Sequence, residues 1–354
     1  LLARRACHLA RLGQFIEARE LIEQTRDAFP TDSHPHVSIW MMLAEGVLYT
    51  FEDLSAQGRD RVMRAQVLAT ATRDRTLIAW TSAWHAHLLS ECSDFAGMGR
   101  ALEMAFGACS DEQHEVIARA CMVLANAYST GGDRSRANHW YEAVRHHALE
   151  AGDQATIDAL IYNKAAFAMA WLRAEVCFAP VDESELRRLA GEIASARNYQ
   201  SLIGIRAVNN FVELWQSRLA LLRGQFGQAI AGLSAVREKR PFAVYNFNQV
   251  IIDLEIAYCH LKLGNAEQAV ELAATLHADL SLLHRDEQLV AAWLLSQFAD
   301  IVPEAKAENS IGMSLDAARA AYRSEQRELK VVLERFNSLS PPGLPEALLR
   351  YPAQ

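Results

Sequence analysis

Arg223-Gly224-Gln225-Phe226-Gly227-Gln228-Ala229, followed by Pro241, is the stretch on which the fold turns. A glycine, a polar residue and an alanine five positions after the glycine recur at Leu12-Gly13-Gln14-Phe15-Ile16-Glu17-Ala18, followed by Pro30. They recur again at Gly132-Asp133-Arg134-Ser135-Arg136-Ala137 and at Leu263-Gly264-Asn265-Ala266-Glu267-Gln268-Ala269. The spacing has a physical reading. Glycine ends a helix where a left-handed backbone costs least. A short polar turn follows and a new helix starts, with its alanine against the preceding helix where only a small side chain fits. Phe15 and Phe226 plug the gap beside the turn, and Pro30 and Pro241 stop the second helix.

The stretches before the glycines are amphipathic. Met122, Leu124, Ala125 and Tyr128 fall at helical spacing, as do Leu254, Ala257, Tyr258 and Leu261. Helix, turn and helix, repeated along the chain, resembles the tetratricopeptide repeat family, best in the units at 1–30, 114–150, 203–241 and 247–282. The resemblance implies an all-α fold, a right-handed superhelical α-solenoid of about eight antiparallel helix pairs. It would occupy 1–338, with 339–354, containing Ser340-Pro341-Pro342-Gly343-Leu344-Pro345, as a tail or linker outside the core. Three units depart from the pattern. The unit at 76–110 has Ser93-Asp94-Phe95 for the glycine turn and Met98 at the small position. The unit at 36–73 has no recognisable turn motif. The unit at 154–200 has a longer connection through Val176-Cys177-Phe178-Ala179-Pro180. Asp182-Glu183-Ser184-Glu185 reads as a helix start, and Pro303 to Gly312 as a break in the last pair.

Composition narrows the function. Of 354 residues, 51% are hydrophobic and 22% charged, enough apolar surface to bury a core. The net charge is −8 and the pI near 5.9, and Arg4–Arg5, Arg187–Arg188 and Lys239–Arg240 are isolated basic pairs, so no nucleic-acid partner is expected. The longest apolar run, Ala165 to Leu172, falls far short of the roughly 18 residues a membrane span needs, so no membrane partner is expected either. The opening residues show no signal-peptide pattern. Six cysteines, none in a CxxC, mostly in apolar helical context, read as free thiols in a reducing, cytoplasmic setting. The chain opens on Leu1, not methionine, which suggests a segment of a longer protein or one whose start is missing.

No catalytic signature stands out: there is no GxGxxG after a strand, no GxxxxGK[ST], no HExxH and no GxSxG. The chain reads as no enzyme, with no cofactor. His34/His36, His85/His87 and His146/His147 are the close pairs among twelve histidines, but side chains one or two apart on a helix diverge, so no metal site is expected. The seven tryptophans fall at helical positions, where packing between helices is the plain reading. Polar residues inside apolar first helices are more informative: Asn126, Asn163 and the Asn209-Asn210 pair.

The resemblance implies that the first helices line a concave face, with Asn126 at the position that holds a peptide backbone. By the same register Arg119, Met122, His87, Arg218, Tyr258 and Lys262 would face that groove, with Asn163 and Asn210 beside them. An amide suits an extended peptide because it both donates and accepts. It equally suits a bond to a neighbouring helix, and both readings stand at this point. The function expected is a non-catalytic scaffold binding a protein or peptide. The alternative is a sensory or regulatory segment of a larger bacterial signalling or transcription-regulating protein, binding a small effector or a partner domain. The sequence does not fix the oligomeric state.

Overall fold

The structure, a computed structural model, describes residues 1–29, 34–52, 55–203, 209–239, 246–274, 283–298 and 314–340. Every regular element among the described residues is helical. In order they are α1 Leu2–Arg11, α2 Phe15–Ala28, α3 Pro35–Phe51, α4 Ser55–Thr72, α5 Arg75–Glu91, α6 Phe95–Ala108, α7 His114–Thr130 and α8 Arg134–Glu150. There follow α9 Gln154–Glu175, α10 Glu183–Ile203, α11 Asn209–Leu222, α12 Phe226–Lys239, α13 Asn246–Lys262, α14 Ala266–Ala274, α15 Arg285–Ser296 and α16 Leu315–Glu334. Helices adjacent in sequence fold back on each other, α1 on α2, α3 on α4, α5 on α6, α7 on α8, α11 on α12 and α13 on α14. The all-α stack of helix hairpins expected from the sequence is the fold observed.

The hairpin turns share one chemistry. Gly13, Gly132, Gly224 and Gly264 have φ of 75°, 77°, 72° and 83°. The next residue in each case donates its N–H back into the last turn of the first helix: Gln14 to Leu9, Asp133 to Tyr128, Gln225 to Ala220 and Asn265 to His260. Such bonds satisfy carbonyls that the helix end leaves open. Ser93 takes the same place, with φ 57° and Asp94 N–H bonded to Leu89 O. Left-handed backbone is uncommon in a residue with a Cβ. Here it is helped by Asp94, which caps α6 by accepting from Gly97 N–H at 2.8 Å. The small positions Ala18, Ala137, Ala229 and Ala269 are buried, and so is Met98 in the position where it replaces alanine.

The chain forms two compact units, 1–160 with 328–340, and 161–327. In the first, one apolar cluster gathers Ile39, Leu43, Val62 and Trp84. A second gathers Leu102, Ile117, Leu124, Tyr128 and Trp140, and the end of α16 completes it with Leu329, Val332 and Leu333, together with Phe336 just beyond it. Tyr128 Oη donates to Leu333 O at 3.2 Å. In the second unit Met169, Leu172, Ile193 and Trp215 form one cluster, and Leu254, Leu289, Phe298 and Tyr322 belong to another. The helix start read at Asp182 is present: α10 begins at Glu183, and Asp182 Oδ1 accepts from Ser184 N–H at 3.0 Å. Pro30, Pro241, the break expected between Pro303 and Gly312, and the tail from 341 lie outside the described residues.

Candidate functional site

In the first unit, side chains from α1 reach across the first helices. Arg11 Nη1 lies 3.0 Å from Asp153 Oδ2, and Arg11 also bonds Thr156. Arg4 pairs with Glu115 at 2.6 Å and stands over the Trp80 ring. Arg119 is 6% exposed, with its guanidinium carbon 4.2 Å from the centre of the Trp84 ring. Burial and the nearby Arg11 push Arg119 down to about 9. His87 Nε2 lies 3.2 Å from Glu91 Oε1, and burial pushes its ring below the usual histidine range.

The face expected to be an open groove is therefore bridged at this level by Arg11 and Asp153. Met122, 1% exposed, is a core residue, not a groove residue. Asn126 is buried and accepts a hydrogen bond from Tyr141 Oη at 2.9 Å. It ties α7 to α8, which is the structural alternative for this amide.

Asp153 has a testable consequence. Burial alone would raise its carboxyl, but Arg11 and the bonds from Thr156 outweigh burial and hold it below the usual carboxylate range. A carboxyl held below its unfolded value of about 3.9 stabilises the fold above that pH, and the contribution is lost as pH falls through the folded value. Urea midpoints measured from pH 6 to pH 3 are expected to fall more steeply below about pH 4 in the natural chain than in Asp153→Asn. Equal slopes would detach Asp153 from the acid response.

The second unit holds a different arrangement. Glu255 of α13 is buried between two arginines. Arg173 of α9 donates from Nη2 to Oε1 at 2.8 Å, and Arg218 of α11 donates from Nε to Oε2 at 3.0 Å. All three side chains are more than nine-tenths buried. The two guanidiniums shift in opposite directions. Burial would lower Arg173, but the carboxylates of Glu255, Glu287 and Asp286 outweigh it and hold it up. Burial and the neighbouring Arg173 depress Arg218 despite Glu255. Arg218 Nη2 is buried with no hydrogen-bond partner among the described residues.

These groups line a shallow recess whose enclosed space, about 10 Å³, is of the order of one water molecule, walled by Val176, Leu221, Leu222, Val290, Trp293 and Leu294. Tyr258 backs Trp293 with ring centres 5.2 Å apart, and the exposed Lys262 sets its ammonium 5.2 Å from the Tyr258 ring centre. Every lining residue comes from α9, α11, α13 or α15, or directly follows one of them.

Of the residues expected on the groove, Arg218 lines the recess in the second unit, while Tyr258 packs against Trp293 and Lys262 stands over Tyr258. His87 and Arg119 lie together in the first, largely covered. Asn163 is half-buried on α9, and the Asn210 side chain lies outside the described residues. Sequence reasoning missed Arg173, Glu255 and Trp293. Glu255 carried a weak signal, shared with Asp253, as a carboxylate inside the otherwise apolar stretch Ile251 to Cys259. Among the described residues no group of three or more His, Cys, Asp or Glu could hold a metal ion, and no helix is long and apolar enough to cross a membrane. No family model matches the chain, and no curated protein matches it.

Proposed function

We propose that the chain is a non-catalytic binding module whose ligand sits on the face built by α9, α11, α13 and α15. The observation that supports this is Arg218 Nη2, a buried donor with no hydrogen-bond partner among the described residues, on a side chain that also lines a shallow recess. Native proteins leave few such groups unmet, and each calls for an explanation. Catalysis would need an acid, a base or a nucleophile converging on one point. The polar groups at the recess are two guanidiniums and a carboxylate that both already hold. A protein or peptide is the partner to which stacked hairpins of the tetratricopeptide kind offer an extended surface. A second reading, a regulatory segment of a larger protein that binds a small effector, is favoured by the apolar rim of the recess. The cysteines, all unpaired, suit a reducing compartment such as the cytoplasm.

The test is a panel of acidic and neutral peptides and organic acids titrated against the full chain and Arg218→Met. At least one ligand is expected to lose about tenfold or more in affinity in the variant, without turnover of any of them. A panel in which no affinity depends on Arg218 would sink the reading.

A further inference from the structure

We propose that Arg11 and Asp153 form a latch that closes the first unit over Arg119 and Trp84, and that its release opens this face without unfolding the unit. The latch involves other helices than the binding reading above and does not rest on it.

The seam comes first. α1 packs on α3, its neighbour in the row of first helices. Its side chains nevertheless reach further along that row, to α7 and to the start of α9. Arg4 pairs with Glu115 at 2.6 Å, and Arg11 pairs with Asp153 at 3.0 Å and bonds Thr156. His8 Nδ1 lies 3.8 Å from Asp153 Oδ1. The apolar clusters do not follow these contacts. Ala3, Ala6, Cys7 and Ala10, the buried apolar residues of α1, belong to the cluster built by α1 to α5. The buried apolar residues of α7 and α8, with Leu160 of α9, belong to the other. α1 is therefore joined to α7 and α9 by charge and not by core. Arg4 and Glu115 are 45% and 33% exposed, and such pairs contribute little net stability. Arg11 and Asp153 are the buried pair, so closure rests on them.

What the seam covers favours release. Arg119 and Arg11 share the Trp84 ring, with guanidinium carbons 4.2 and 5.9 Å from its centre. Arg11 spends its charge on Asp153, while Arg119 forms no hydrogen bond or ion pair among the described residues. Asp153 and Glu91 stand near enough to favour the Arg119 charge, but burial and Arg11 outweigh them. Closure thus keeps a second, unpaired guanidinium beside the one that holds it, and water reaching Arg119 on opening removes that cost. The ions of the pair regain hydration as well, which offsets the attraction lost. A closed state held by one buried pair and opposed by its neighbour is set in balance by a few groups, as a two-state element requires.

Phenylglyoxal, which modifies accessible guanidiniums, reads the opening in the full chain, with the modified positions mapped by mass spectrometry. In Arg11→Met and in Asp153→Asn, Arg119 is expected to react at least about tenfold faster than in the natural chain, because local opening sets access to a buried group. Arg173, buried in the second unit, is expected to keep its rate in both. Arg19→Met, which breaks the Arg19–Glu52 pair between α2 and the end of α3, is expected to leave Arg119 slow. An unchanged rate at Arg119 in the latch variants overturns the proposal. An equal rise at Arg173, or an equal rise at Arg119 in Arg19→Met, overturns it too, since the chain would then be loosened in general. If one latch variant fails to fold, the other decides. If neither folds, Arg11 and Asp153 are part of the core and there is no latch. None of these outcomes touches Arg218, so the two readings stand or fall separately.

Discussion

Glu255→Leu is expected to destabilise the second unit by about 3–5 kcal/mol, because it leaves two buried guanidiniums without the carboxylate that bonds both. The bonds lost are those from Arg173 at 2.8 Å and Arg218 at 3.0 Å. The larger part of the cost is what remains, since Arg218 already sits low from burial and from Arg173 while Glu255 is present. The contrast is the triple replacement Arg173→Met, Glu255→Leu and Arg218→Met, which removes the charges together. It is expected to match the natural chain or exceed it by roughly 1–4 kcal/mol, since apolar groups of similar volume hold such a site as well as a buried ion pair does. Urea unfolding followed by circular dichroism reads both. A Glu255→Leu midpoint equal to that of the natural chain would mean that water reaches the triad. If the triple variant is the more stable, the triad is not there for stability.

The hairpins could be read from the sequence because their determinants are local. A glycine with positive φ and an alanine five residues on are set by one turn and one helix crossing, and nothing distant is needed to interpret them. Ser93 and Arg73, with φ of 57° and 58°, show the limit of that reading. Both adopt the left-handed backbone without being glycine, and the sequence gives little sign of it. The site was legible only in part, for a related reason. Helical register tells which side of α7, α11 or α13 a residue occupies, and Arg218 and Tyr258 both stand near Trp293. Register does not tell how far side chains from other helices reach. Arg11 and Asp153 meet across 142 positions of sequence and cover the place where an open face was expected. Tyr141 supplies the hydroxyl that occupies Asn126. Trp293 looked like any packing tryptophan because its wall is formed with Tyr258, two helices earlier in the chain.

The hairpin at 36–73 has no turn motif in sequence, and its close approach is made instead by a pair of glycines, which yields the second large effect. Gly46 on α3 and Gly58 on α4 face each other at the crossing. A Cβ built on Gly58 would come within 2.8 Å of Gly46 O and 3.0 Å of Thr50 N, and also against Thr50 Oγ1. One built on Gly46 would come within 2.6 Å of Val62 Cγ2 and 3.0 Å of Gly58 O. A side chain can rotate away, but a backbone oxygen moves only if the helices part. Gly58→Ala is therefore expected to cost about 1–3 kcal/mol through overpacking, even though alanine is the better helix former. Gly191 on α10 is the control, since a Cβ there meets nothing within 4 Å. Gly191→Ala is expected to stabilise by roughly 0.5–1 kcal/mol, the ordinary gain in a helix interior. Opposite signs in urea midpoints would establish that space, not propensity, selects glycine at position 58. If both alanines stabilise, α3 and α4 do not touch there, and the second hairpin is held by Leu43, Val47 and Val62 without the close crossing.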